Sequence, residues 1–307
     1  MKYRWMLPAA LGGILALSGG CGRRGEARRA DGKRTIVATY AVLGAAVQEL
    51  AGDRFAVTSA VPNGLDIHEW EPSARDIEAL THADLIVENG LGLEGGMAKA
   101  LDQARRAGVP VFTAAGHIPV RRVGPGEGIP GDDPDQAAGA QDPHLWTDPL
   151  AVKAVLDALA AELRRRYGTD LSARAADLDR RLEELDRTIR ARTAALPADR
   201  RKLVTGHESL GYFAQRYGFR LVGAVIPSLT TQAEGSAAKM EALKGVIRRE
   251  GVRVVFTEQG TPPRSVEALA REAGVRVVTV GTHSLPPDGS YFTYARDLAD
   301  TILGGLQ

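Results

Sequence analysis

From residue 34 onward, short apolar runs alternate with amphipathic stretches. The runs at 35–40 (TIVATY), 55–61 (FAVTSAV), 84–88 (DLIVE) and 109–113 (VPVFT) are bounded by turn residues such as Pro62-Asn63-Gly64 and Asn89-Gly90. They predict strands. The helical periodicity at 42–51, 73–81, 94–107 and 149–167 predicts helices between and after them. Ser73 with Asp76 three residues on reads as a capping box for the second. The far half repeats the scheme, with strands at 202–205, 221–225, 252–257 and 275–280 and helices at 209–217, 236–250, 265–273 and 291–306. Strand–helix alternation of this kind predicts parallel sheets flanked by helices, an α/β fold.

Between the halves lies the longest helical pattern, residues 171–196. Leu178, Leu182, Leu185 and Ile189 mark one face, no glycine interrupts it, and Pro197 ends it. At 1.5 Å per residue it would run on the order of 35–40 Å. The apolar pattern does not persist over enough heptads for a coiled coil, so the stretch reads as a rigid spar. The expected division is an N-terminal lobe at 34–170, a linking helix at 171–197 and a C-terminal lobe at 198–307. Residues 123–141, rich in Gly and Pro and carrying Asp132-Asp133-Pro134-Asp135, predict a mobile surface loop, its acids too few and too loosely arranged for an EF-hand.

The first twenty residues read as an export signal. A basic start, Met1-Lys2-Tyr3-Arg4, precedes an apolar stretch at 5–17, too short to span a bilayer, and Ser18-Gly19-Gly20-Cys21 closes it. Small residues before the only cysteine of the chain resemble a bacterial lipobox, with Cys21 lipidated. Its usual Leu three before the Cys is Ser18 here, and Leu17 stands one earlier. Residues 21–33 then form a polar, arginine-rich tether from a membrane anchor to the first lobe. Removing residues 1–20 takes away Lys2 and Arg4 and no acid, leaving 37 basic side chains against 38 acidic ones. That balance gives no reason to expect a nucleic-acid partner, and a monomer is expected. One cysteine allows neither an internal disulfide nor a thiolate cluster, so a metal site would use His and carboxylate.

The chemistry concentrates in a repeated pentad, Asp66-Ile67-His68-Glu69-Trp70 and Asp142-Pro143-His144-Leu145-Trp146. The chain has six His and three Trp. With Trp5 in the leader, both remaining Trp belong to the repeat. Imidazole is the commonest protein ligand for borderline metals. Asp66 and Asp142 are candidates to orient the rings, and Trp70 and Trp146 to dry the site. His207 and His283 also follow predicted strands, and ligands of open parallel sheets bind beyond the carboxyl ends of strands. Two histidines from each lobe therefore predict one metal in the cleft: His68, His144, His207 and His283. Glu258, just past a strand, is either a carboxylate behind a ligand, an occasional oxygen ligand itself, or a solvated loop acid. Glu208 reads as a helix-start acid, His82 as a helix C-cap, and His117 as a histidine outside the site.

At these residues the chain resembles the zinc- and manganese-binding solute-binding lipoproteins of bacterial ABC importers (cluster A-I, ZnuA- or TroA-like). The resemblance rests on Asp66–Pro72, on Asn89-Gly90 followed by Leu93-Glu94, on Asp142–Pro149, and on His207 ahead of Gly211-Tyr212-Phe213 and Arg216-Tyr217-Gly218. It implies two lobes on one long helix, and metal ligands at His68, His144 and His207. It also implies delivery to an ABC permease from the periplasm or outer cell surface. The third ligand is usually Glu in manganese-type members, so His207 favours Zn²⁺. The fourth is usually Asp in a T-D-S-L-like stretch, where this chain has Thr282-His283-Ser284-Leu285. Four nitrogens suit Zn²⁺. Mn²⁺ or Fe²⁺ remains the alternative ion, Cu²⁺ and Ni²⁺ would have to be rejected by geometry, and an added adhesin role is open. A different class, a zinc hydrolase, would need three His ligands and an open water position, with Glu258 or Glu208 as base.

Overall fold

The computed structural model describes residues 32–125, 127, 138–231, 237–258 and 263–307. The leader, Cys21, most of the tether and the aspartates of the 123–141 loop lie outside the described residues. The first lobe holds β1 (Arg34–Tyr40), α1 (Ala41–Ala51), β2 (Phe55–Val61), α2 (Ala74–Thr81), β3 (Leu85–Glu88), α3 (Ala98–Arg106), β4 (Val111–Thr113) and α4 (Pro149–Tyr167). Helix α5 (Ser172–Ala194) leads to the second lobe. That lobe holds β5 (Lys202–Thr205), α6 (Gly211–Tyr217), β6 (Arg220–Ala224), α7 (Ala237–Glu250), β7 (Val254–Thr257), α8 (Pro263–Ala273), β8 (Arg276–Thr279) and α9 (Tyr291–Leu306). The sheets run β2-β1-β3-β4 and β6-β5-β7-β8, all pairs parallel. The two lobes thus share one strand order.

Local signals work as the sequence implies. Ser73 caps α2 in a reciprocal capping box with Asp76. His82 closes the same helix, its Nδ1 lying 2.8 Å from the Glu78 carbonyl. Leu178, Leu182, Leu185 and Ile189 are the buried face of α5, which at 23 residues spans about 35 Å. Two helices start later than the periodicity predicts. Around residue 94 the chain makes a 3-10 turn, Gly95–Met97, before α3 begins. There Glu94 folds back instead, accepting from the Asn89 and Gly90 backbone N–H groups. Gly90, Leu91 and Gly92 all have positive φ to allow it. Helix α6 starts at Gly211 because Glu208 N–H is bound to the Ser228 carbonyl and Ser209 Oγ to Glu258. Glu208 is therefore not a helix-start acid but a buried carboxyl.

The hydrophobic core is continuous between the lobes. One cluster runs from Ile36, Val37 and Leu43 through Leu178 and Leu182 to Leu203, Phe256, Leu298 and Ile302. A second, smaller cluster lies under α7 and α8, built on Val204, Val255, Leu243 and Leu269. The larger cluster spans both lobes, so the linking helix, read as a rigid spar, is also part of a shared core.

Candidate metal centre

The four candidate histidines converge. His68, His144, His207 and His283 are all buried, and each offers a nitrogen within 4.8 Å of the other three. His144 Nε2 lies 3.4 Å from His68 Nε2 and 3.3 Å from His207 Nε2. A tetrahedral zinc with bonds of about 2.0–2.1 Å separates its nitrogens by about 3.3–3.4 Å. His68 comes from the β2–α2 loop and His144 from the turn before α4. His207 follows β5 and His283 follows β8.

Hydrogen bonding assigns the tautomers. His144 Nδ1 is 2.8 Å from Asp142 Oδ1, and a carboxylate only accepts, so Nδ1 carries the hydrogen and Nε2 the lone pair. His207 Nδ1 stands 2.7 Å from Glu258 Oε1. The N–H is not well aligned with that oxygen, so the contact is chiefly electrostatic, and it holds the hydrogen on Nδ1. Thr282 Oγ1 donates to Glu258 Oε2. It can then only accept from His283 Nδ1 at 3.0 Å. His283 Nε2 is left buried without a hydrogen-bond partner. The inward nitrogens of His144, His207 and His283 thus face one buried space, an arrangement that repels itself unless a proton or a cation lies between them.

Charge around the cage follows from this geometry. Burial and the other imidazoles push the His68 pKa well down. Burial also lowers His144, against the pull of Asp142. His283 falls to about 3 through burial and its neighbours His207 and His144. His207 differs: burial lowers it, but Glu258, joined by Asp66 and Asp142, outweighs burial and raises it. Burial works to raise Glu258, yet His207, His283 and the Thr282 hydroxyl bring it to about 2. Glu258 is thus a buried carboxylate behind two histidines.

The flanking residues divide. Asp142 touches the His144 ring, whereas Asp66 accepts the His68 backbone N–H at 2.9 Å and so shapes the turn. Trp146 lies 5.3 Å, ring to ring, from both His144 and His283. Its Nε1 donates to the Thr282 carbonyl at 2.8 Å. Trp70 is half-buried against the hydrophobic core and makes no ring contact with the four imidazoles among the described residues. His117 is exposed and stacks on Phe112, away from the cage.

The roles of several supports were not visible in the sequence, Arg121 carrying no signal there and Asn89 only a turn and family motif. Arg121 donates to Asp142 Oδ2 at 2.9 Å and also pairs with Glu127, so it clamps the carboxylate behind His144. The bridge between Arg122 and Gln141 closes the base of the 123–141 loop and brings Arg121 to that position. Asn89 donates to the Pro143 carbonyl at 2.8 Å and accepts from Tyr40, fixing the residue before His144.

Two parallel-sheet lobes with a buried cage of four imidazoles beyond the carboxyl ends of their strands define a metal-binding solute-binding protein. The chain belongs to the ZnuA family (zinc-uptake complex component A, periplasmic), whose model matches residues 36–305. It is 30% identical over 292 residues to the zinc-binding protein TroA of Treponema pallidum, covering 90% of each chain. It is 29% identical over 287 residues to the manganese-binding lipoprotein MntA of Bacillus subtilis, covering 90% of this chain and 88% of that one. The periplasmic zinc-binding TroA structure superposes with a TM-score of 0.78 at 28% identity, over 90% of this chain and 99% of that one. A ZnuA crystal structure shares the fold, with a TM-score of 0.76 at 23% identity over 90% of this chain and 100% of that one.

Proposed function

We propose that this chain captures Zn²⁺ outside the cytoplasmic membrane and passes it to the permease of an ABC importer. In this reading Cys21 is the lipid-bearing residue, 21–33 the tether, and 34–170 and 198–307 the lobes joined by 171–197. His68, His144, His207 and His283 are the ligands. The observation that carries the reading is the convergence of four buried imidazoles within 4.8 Å of one another, the His144 pairs with His68 and His207 at tetrahedral nitrogen spacing, with nitrogens set inward by Asp142, Glu258 and Thr282. Four neutral ligands leave the ion its full double charge. Asp142 and Glu258, both buried against ligand rings, supply two compensating negative charges. The all-nitrogen donor set favours Zn²⁺ over Mn²⁺, which prefers oxygen. The names of TroA and MntA include both ions, so Mn²⁺ is the ion to compete against. A hydrolase is disfavoured because His283 supplies a fourth nitrogen at the position a catalytic zinc leaves to water.

Titration of the purified protein with Zn²⁺, in competition with Mn²⁺ and Cu²⁺, tests this. His144→Ala and His207→Ala are each expected to weaken zinc binding by more than the roughly 10–100-fold that loss of an outer partner costs. Unchanged zinc affinity in both variants would overturn the ligand assignment. Preference for Mn²⁺ over Zn²⁺ would overturn the ion.

A further inference from the structure

The rim of the cleft holds a contact that ligation does not use. Asn63, in the turn ending β2, reaches Leu285, 222 residues further along the chain. Its Oδ1 accepts the Leu285 backbone N–H at 2.7 Å, and its Nδ2 donates to the Leu285 carbonyl at 3.1 Å. That reciprocal pair needs a primary amide, since a carboxylate has no donor to give. Asn63 stands five residues before His68 and Leu285 two residues after His283. The pair therefore ties one ligand loop of the first lobe to one of the second.

This contact differs from two buried links between the lobes. Trp146 to Thr282 and Tyr291 to the Trp146 carbonyl are buried. The Asn63 pair is exposed, so water replaces each bond as soon as it breaks and its net strength is modest. A contact of that kind opens readily while the buried seam stays closed. Asn63 is exposed and Leu285 half-buried, so the contact lies at the solvent side of the two loops.

We propose that Asn63 is a rim latch: it holds the His283 loop against the His68 loop once an ion is inside, and sets how fast the ion leaves. It is a positioning residue, not a ligand. The proposal rests on reading the four histidines as the ion site. Its occupant is the divalent cation of that site, and its effect falls on retention rather than on coordination.

The test is release of Zn²⁺ from the loaded full-length protein into excess EDTA, followed by stopped flow, for wild type, Asn63→Ala and Asn63→Asp. Asn63→Ala is expected to release the ion about tenfold faster, equivalent to about 1.4 kcal/mol. Asn63→Asp keeps the acceptor, loses the donor and falls between the two. X-ray absorption should still count four nitrogens in each variant. A purely structural role would instead lower the unfolding midpoint of the metal-free protein and leave the release rate alone. Release at the wild-type rate from Asn63→Ala overturns the latch. Wild-type protein that retains no zinc overturns the site reading, and the latch with it.

Discussion

Each of three imidazoles has its tautomer set by an oxygen on its outer side, and the consequence is a site with unequal protons. His68, His144 and His283 all have pKa values below the usual imidazole range, so they are neutral and ready for metal at pH 7. Only His207 is raised, because the Glu258 carboxylate outweighs the effect of burial. Zinc therefore competes with a proton at His207 before it does so at the other three imidazoles. Protonated imidazole cannot ligate, so affinity must fall as pH drops, never rise. As pH drops from neutrality toward the ordinary imidazole range, the zinc affinity should fall with a slope of no more than about one proton per ion, because only His207 among the four is raised. Four ordinary histidines would give a much steeper loss below about pH 6.5. Titration calorimetry in buffers of different ionisation enthalpy counts these protons directly, and a slope near four would contradict the assignment of His207 as the lone raised group. At this scale the sequence was informative where chemistry was scarce: six histidines and a repeated pentad pointed at the cage. Glu258 was ambiguous because a loop acid shows its partners, Ser209, Thr282 and His207, only after two strands are brought side by side. The two pentads looked equivalent, yet Trp146 walls the cage and Trp70 does not. Their difference lies in what packs against them, not in the motif.

The elements carry the ligands by way of close backbone approaches that no periodicity reveals. Helix α6 begins at Gly211, directly against the Asp142–Arg121 pair that orients His144. A Cβ at Gly211 would fall 2.0 Å from Asp142 Oδ2 and 2.4 Å from Arg121 Nη1. Both groups are buried and mutually bonded, so neither can retreat without losing the other. Gly211→Ala should therefore destabilise the protein by about 1–3 kcal/mol, the range for overpacking. It should also weaken zinc binding through the displaced Asp142. Gly245→Ala in α7 is the control: its Cβ meets nothing within 4 Å, and replacing a mid-helix glycine should be neutral or stabilising by up to about 1 kcal/mol. Denaturant unfolding and zinc titration of the two variants separate the cases, and equal behaviour would remove Gly211 from the support of the site. The strand and helix spans were largely legible because alternating apolar runs and caps are local signals. The late starts of α3 and α6 were not, since Glu94 turns back onto the Asn89 and Gly90 N–H groups and the distant Thr39 hydroxyl, and Ser209 reaches Glu258, instead of serving the helix.

At the scale of the molecule, the two lobes share one core. A chain of two α/β lobes suggests two folding units, and proteins of this size often unfold in more than one step. Here α9 leaves β8 of the second lobe and packs on α1 of the first as well as on α5. Its Leu298, Ile302 and Leu303 belong to the same cluster as Ile36 and Leu43. Neither lobe can lose its packing without exposing apolar surface of the other, at roughly 25 cal/mol for each Å² uncovered. The expected result is a single cooperative thermal transition for the metal-free protein, with calorimetric and van't Hoff enthalpies in agreement. The smaller cluster under α7 and α8 should exchange its amides first, because it is the part of the second lobe outside the common core. Zinc should raise the midpoint of that one transition, since an ion held by both lobes binds only when both are folded. Two resolved transitions, or a zinc shift confined to one of them, would show that the lobes are independent. The same continuity limits how an ion is released. Wide hinge opening would tear the shared core, so release must use small movements at the rim, where exposed hydrogen bonds join Asn63 to Leu285 beside the loops of His68 and His283.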